Sequence, residues 1–122
     1  MGVVMQGKAL AEFVITALED IKGQEIRLLD VGNMTAITDY MVIASGSSNR
    51  HVKALANNVL EKTKAASIAP LGVEGQQDAE WILIDLQDVL VHIMQPRVRD
   101  FYNLEKLWDA DLADSTPPAV IN

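Results

Sequence analysis

The sequence contains no cysteine, only two histidines and only two residues each of Trp, Tyr and Phe. The absence of cysteine excludes disulfide bonds, thiolate metal sites and cysteine nucleophiles, and it fits a reducing compartment. No apolar run approaches the roughly 20 residues that a membrane-spanning helix needs. The start of the chain also lacks the basic flank of a secretory signal. We therefore expect a cytoplasmic protein that has no membrane partner.

The chain length and composition are those of one globular domain. With 122 residues, of which 49% are hydrophobic and 22% charged, the chain can build a single core. Beyond position 108 the sequence has acidic residues and two prolines but no hydrophobic periodicity. We predict one domain over residues 1–108 and an acidic, disordered tail over residues 109–122.

The charges are distributed unevenly along the chain. Residues 1–64 carry as many acidic as basic side chains, so the whole net charge of −7 lies in residues 65–122. Surfaces that bind phosphate backbones are basic, which argues against nucleic acid as the main partner. An acidic half suits a basic protein partner, or it merely keeps the protein soluble.

Hydrophobic spacing predicts three helices and about five strands. The second helix follows Gly46-Ser47-Ser48, where either serine can cap it. This order of elements indicates a two-layer α/β fold with a mixed five-stranded sheet. The predicted helices cover residues 8–22, 48–66 and 97–108, and the predicted strands cover residues 25–31, 38–45, 71–75, 81–86 and 89–94.

The last two strands form a hairpin if residues 87 and 88 are its turn. Direct pairing then places aliphatic side chains on one face, in the pairs Leu86–Val89, Ile84–Val91 and Ile82–Ile93. The other face carries the pairs Asp85–Leu90, Leu83–His92 and Trp81–Met94. A face that mixes apolar, acidic and imidazole groups is unlike a sealed core, so we interpret it as an interaction surface. In the alternative, a helix covers this face and Asp85 pairs internally with His92.

The terminal helix adds aromatic residues. Helical spacing groups Phe101, Leu104 and Trp108 on one side, which favours packing for those three. Tyr102 lies well round the helix from them. It is either exposed by chance or part of the hairpin surface.

Catalytic patterns are weak. Gly46-Ser47-Ser48 is similar to a phosphate-binding turn, but no lysine follows it, and an ordinary serine-capped turn explains it as well. His51 and His92 lack the spacing of metal ligands. Asp85 and Asp88 flank a turn, so their carboxylates should diverge. We expect no catalytic set, no metal site and no cofactor. The rival hypothesis is a nucleotidyltransferase-type enzyme using Gly46, Ser47, Asp85 and Asp88.

Several separated motifs resemble the ribosomal silencing factor family, also called Iojap-like. Residues 71–75, 78–94 and 101–108 read LGVEG, DAEWILIDLQDVLVHIM and FYNLEKLW, and residues 37–40 and 44–52 read ITDY and ASGSSNRHV. The resemblance covers roughly residues 5–108. It implies a nucleotidyltransferase-like fold without the catalytic carboxylates.

The resemblance also implies a function and a partner. A family member would bind ribosomal protein uL14 on the large subunit and block joining of the small subunit, which represses translation in starvation. A factor for large-subunit assembly that leaves joining unaffected is an alternative. An exposed apolar face would also allow a homodimer of the free protein. The implied partner-binding residues are Trp81, Leu83, Asp85, Asp88, Leu90, His92, Met94 and Tyr102.

Overall fold

A computed structural model describes Met5 and residues 7–108, except for the side chains of residues 107 and 108. The predicted tail over residues 109–122 lies outside this part of the chain. The helices are α1 (Gly7–Asp20), α2 (Asn49–Ala65), α3 (Pro96–Tyr102) and α4 (Leu104–Trp108). The strands are β1 (Gln24–Asp30), β2 (Tyr40–Ser45), β3 (Gly72–Glu74), β4 (Trp81–Asp85) and β5 (Val89–Met94).

The five strands form one mixed sheet in the order β1-β2-β5-β4-β3. Strands β2 and β5 are parallel, and the other neighbouring pairs are antiparallel. The parallel pair is possible because β3, β4 and the long helix α2 lie between its two strands in sequence. The predicted α/β fold with a mixed five-stranded sheet is confirmed.

Helices α1 and α2 cover one face of the sheet and enclose the larger core. The side chain of Ser48 accepts a hydrogen bond from the backbone N–H of His51, so Ser48 is the N-cap of α2. The aliphatic face of the hairpin supplies the sheet side of this core, as its register predicts. Its buried members include Ile82, Ile84, Val91 and Ile93, which are at most 1% exposed.

The opposite face of the sheet has a smaller hydrophobic group, here called the second cluster. Its buried members are Leu29, Val31, Met41, Ile43, Met94 and Val98. Only Gln95 separates β5 from α3, so this helix lies against the end of its own strand. The expectation that Met94 is exposed is therefore wrong, because its side chain is completely buried beside Val98 of α3.

The predicted terminal helix is divided into α3 and α4. Asn103 between them has left-handed backbone angles (φ 47°, ψ 51°), which asparagine tolerates better than most residues. Arg99 and Glu105 are six residues apart and would lie about 120° apart around a continuous helix. The break lets the Arg99 guanidinium make two hydrogen bonds to the Glu105 carboxylate, at 2.8 and 3.0 Å.

Candidate functional site

The hairpin face that points away from α1 and α2 has the predicted register. Trp81 pairs with Met94, Leu83 with His92, and Asp85 with Leu90. Trp81, Leu83, Asp85 and Leu90 are half-buried, whereas His92 is only 7% exposed and Met94 is fully buried. The accessible part of this face therefore consists of the side chains of Trp81, Leu83, Asp85 and Leu90.

A hydrogen bond fixes the orientation of Trp81. Its indole Nε1–H donates to Nδ1 of His92 at 3.0 Å, and the two ring centroids are 5.8 Å apart. Since Nδ1 accepts, the proton of the neutral imidazole is on Nε2. Burial lowers the pKa of His92 to about 4, so the ring stays neutral at physiological pH. The partner of His92 is thus Trp81 and not Asp85, so the alternative of an internal Asp85–His92 pair is wrong.

Two aromatic residues of α3 extend this face. The ring of Tyr102 lies 5.0 Å from that of Trp81, and Phe101 contacts Tyr102 edge-on at the same centroid distance. Of the two alternatives for Tyr102, the structure shows the one in which its ring contacts the hairpin surface. Phe101, expected to pack, is instead 79% exposed and Tyr102 is 52% exposed. The helix break at Asn103 removes the continuous face that grouped Phe101 with later residues.

A surface cavity of about 430 Å³ lies between the start of β4 and α3. One edge of it holds an ion pair, in which Nη2 of Arg97 is 3.4 Å from Oε2 of Glu80. This cavity was not predicted, although the pairing of Trp81 with Met94 brings the residues before β4 and after β5 together. The backbone N–H of Gln95 donates to the Glu80 carbonyl at 3.0 Å and holds them there. The lining residues are Glu80, Trp81, Arg97, Val98, Phe101 and Tyr102.

The two acidic residues near the hairpin turn have local partners. The Asp85 carboxylate accepts a hydrogen bond from the backbone N–H of Gln87 at 2.8 Å, which shapes the turn. The Asp88 carboxylate accepts one from the backbone N–H of Gly7, at the start of α1, at 3.2 Å. Because α1 lies on the other face of the sheet, Asp88 does not belong with the accessible hairpin face.

The four residues of the rival enzyme hypothesis do not converge. Ser45 pairs with Met94 at one end of β5, so the turn at Gly46 and Ser47 lies at that end, whereas Asp88 precedes the other end. A six-residue strand separates the two groups by about 17 Å. Among the residues described, no group of three or more His, Cys, Asp or Glu side chains could hold a metal ion.

The Gly46 turn has a packing explanation. A Cβ atom at Gly46 would meet Cγ2 of Val52 at 2.9 Å, so glycine lets α2 approach the end of β2. The backbone N–H of Ser47 donates to Nδ1 of His51 at 2.8 Å. His51 Nε2 in turn lies 2.8 Å from the Ile21 carbonyl oxygen, so His51 joins this turn to the end of α1.

None of the described helices is long and apolar enough to cross a membrane.

Comparisons with known proteins agree with this geometry. The family model described as "ribosomal silencing factor during starvation" (RsfS) matches residues 5–120. A ribosomal silencing factor from Chromobacterium violaceum is 47% identical over 104 residues, which are 85% of each chain. A crystal structure of a protein from the same organism superposes with a TM-score of 0.84 at 47% identity, covering 85% of this chain and 87% of that one.

A more distant relative is the mouse protein named mitochondrial assembly of ribosomal large subunit protein 1. It is 30% identical over 100 residues, which are 80% of this chain and 44% of the mouse protein. The match to a bacterial silencing factor thus covers most of both chains, whereas the mouse protein is much longer than the part that matches.

Proposed function

Because the chain belongs to the ribosomal silencing factor family, we propose that it represses translation by binding the large ribosomal subunit. The bound protein occupies the surface on which the small subunit would join. We infer that it acts in the cytoplasm, that it catalyses no reaction and that it needs no cofactor. The observation that carries this proposal is the family match over residues 5–120, in a chain whose accessible hairpin face is rich in apolar side chains.

The proposed docking surface consists of the accessible hairpin face and the neighbouring aromatic residues of α3. Its members are Trp81, Leu83, Asp85, Leu90, Phe101 and Tyr102. Large aromatic side chains that are partly exposed and held by neighbours are favoured at protein interfaces because little side-chain entropy is lost on binding. The rings of Phe101 and Tyr102 are exposed, and the ring of Trp81 is oriented by its hydrogen bond to His92.

The proposed partner is ribosomal protein uL14, a basic protein of the large subunit. The second half of the chain carries all of the net charge of −7, and the docking surface lies in that half. Opposite charge on the two partners would accelerate their encounter and disfavour binding to naked RNA. Met94 and His92 are buried beneath the proposed docking surface, and Asp88 lies outside it.

A second candidate is a role in assembly of the large subunit without an effect on joining. The name of the mouse relative, mitochondrial assembly of ribosomal large subunit protein 1, favours this role. Both candidates require binding to the large subunit, so binding alone does not separate them.

Subunit joining separates the two candidates. We expect that adding the protein to mixed isolated subunits shifts sucrose-gradient profiles from whole ribosomes to free subunits. A Tyr102→Ala variant is expected to shift the profile less at the same concentration, because Tyr102 is half exposed beside Trp81. Asn57→Ala, an exposed change on α2, is the matched control and should behave as the unchanged protein. Co-sedimentation with large subunits combined with an unchanged gradient at saturation would exclude blocking and favour the assembly role.

A further inference from the structure

The cavity beside Trp81 combines aromatic rings with one carboxylate. The rings of Trp81, Tyr102 and Phe101 follow one another at centroid distances of 5.0 Å, and all three residues line the cavity. The Glu80 carboxylate stands at the edge and its side chain is 52% exposed. Aromatic faces attract cations, and a carboxylate pairs with them, so the two features select the same kind of ligand group.

The protein itself shows which cation fits the edge of the cavity. The Arg97 guanidinium lies 3.4 Å from the Glu80 carboxylate, and its side chain is 69% exposed. That distance and exposure are those of a weak surface ion pair, which contributes little to stability. A stronger guanidinium ligand could therefore replace Arg97 at small cost.

A guanidinium is favoured over an ammonium by the shape of the site. A guanidinium is planar, stacks on aromatic rings and donates two parallel hydrogen bonds to one carboxylate, whereas an ammonium is a strongly hydrated point charge. The aromatic lining of the cavity and its single carboxylate suit the guanidinium.

We propose that this cavity receives an arginine side chain of the basic large-subunit partner. The incoming guanidinium stacks against the exposed aromatic residues and takes the place of Arg97 at Glu80. This inference rests on the proposed function, and it adds a specific anchor to the docking surface. It assigns Glu80 a direct contact with the partner and makes Arg97 a competitor for the same carboxylate.

Two neighbouring substitutions should then change affinity in opposite directions. Glu80→Gln removes the carboxylate and is expected to weaken binding to isolated large subunits by roughly three- to tenfold, the range of a lost charge contact with aromatic support. Arg97→Gln removes the competitor and should strengthen binding by about two- to threefold. Asp78→Asn is the matched control, because this substitution changes the net charge as Glu80→Gln does. Asp78 is exposed and does not line the cavity.

The aromatic part of the site has its own test. Phe101→Leu keeps an apolar side chain but loses the ring face, and it should weaken binding by roughly threefold. Because Phe101 is 79% exposed, its substitution should leave the melting temperature unchanged, so the loss is read as binding.

Binding of the Trp81→Ala variant, measured in parallel, distinguishes a failure of the arginine anchor from a failure of the proposed docking surface. If Trp81→Ala weakens binding while Glu80→Gln equals Asp78→Asn, the docking surface stands and the arginine anchor is overturned. If Arg97→Gln weakens binding, Arg97 itself contacts the partner, for example an RNA phosphate, and the anchor is again overturned. If Trp81→Ala has no effect, the protein docks through another surface and both proposals fall.

Discussion

The indole of Trp81 donates its hydrogen bond to a buried histidine on the neighbouring strand, at 3.0 Å from Nδ1 of His92. Strand pairing places Trp81 opposite Met94, so His92 is its diagonal neighbour two residues earlier on β5. The imidazole thus holds a ring of the proposed docking surface from below. A protonated His92 would carry a hydrogen on Nδ1 and could not accept this bond.

The first prediction concerns acid stability. Burial lowers the pKa of His92 from 6.5 to about 4, so below pH 6.5 the unfolded chain binds a proton that the folded protein does not. The contribution of His92 to the free energy of unfolding is complete above pH 6.5. It falls as the pH approaches 4, by a total of roughly 3 kcal/mol at 1.36 kcal/mol per pKa unit.

Urea denaturation between pH 7.5 and 4.5 measures this loss. His92→Gln cannot titrate, so its free energy of unfolding should fall less steeply over this range than that of the unchanged protein. The Glu105 carboxylate does not obscure the comparison. The hydrogen bond from Arg99 lowers the pKa of Glu105. The stability that Glu105 contributes is therefore lost only as the pH falls below 4.5, the ordinary pKa of a glutamate side chain. Parallel profiles for the two proteins would contradict the assignment to His92.

The second prediction concerns the ion pair between the buried Arg99 and the partly buried Glu105, which holds α4. Arg99 is only 8% exposed, and its guanidinium also donates to the Ser45 hydroxyl at 2.9 Å. Glu105→Gln leaves this buried charge without its carboxylate, and we expect a loss on the order of 2–4 kcal/mol in the free energy of unfolding. Glu80→Gln removes one partner of an exposed pair and should cost less than about 1 kcal/mol. Equal shifts in melting temperature for the two variants would contradict the difference in burial.

The third prediction separates the two acidic residues of the hairpin. Asp88 accepts a hydrogen bond from the first residue of α1, so Asp88→Ala should cost about 0.5–2 kcal/mol of stability, as loss of a helix cap does. The affinity of this variant for large subunits should not change, because the Asp88 carboxylate that it lacks faces α1. Thermal melts and co-sedimentation on the same preparation test both statements. A large loss of affinity without a loss of stability would return Asp88 to the docking surface.

The hairpin register could be predicted from the sequence because side chains alternate strictly along a strand. Once residues 87 and 88 are the turn, the partner of every other residue from Trp81 to Met94 follows. Five of the six predicted pairs are observed in the strand register, and the sixth pair, Leu86 and Val89, is joined by a backbone hydrogen bond at 2.9 Å. A serine N-cap before α2 was likewise predictable, since serine after a strand and before an apolar helical stripe is a local signal. The pattern left Ser47 and Ser48 as alternatives, and the structure assigns the cap to Ser48.

The burial of Met94 could not be predicted in the same way. Alternation gives the face of the sheet to which Met94 belongs, but it does not say whether another element covers that face. The cover comes from α3, whose position depends on packing of Val98 and on the buried Arg99, both of which are tertiary contacts. Phe101 is exposed for a related reason. Its surroundings depend on the left-handed turn at Asn103, and a single asparagine in a helical pattern is a weak signal for a break.

The fourth prediction compares the two faces of the hairpin. Ile84 is fully buried in the larger core, so Ile84→Ala should lose roughly 2–5 kcal/mol of stability through the cavity it leaves. Its effect on docking, measured where the variant remains folded, should be small. Trp81 is only half-buried, against the second cluster, so Trp81→Ala should cost less stability than Ile84→Ala.

Binding should show the reverse order. Trp81→Ala is expected to cost on the order of 2 kcal/mol or more in affinity for large subunits, as truncation of an interface tryptophan often does. Part of that cost arises indirectly, because Tyr102 loses the ring against which it lies at 5.0 Å. Urea denaturation and binding isotherms on both variants decide the matter. If Ile84→Ala weakens binding more than Trp81→Ala at equal folded fraction, the docking surface lies on the helix side of the sheet. If Trp81→Ala only destabilises the fold, its ring serves the second cluster and not a partner.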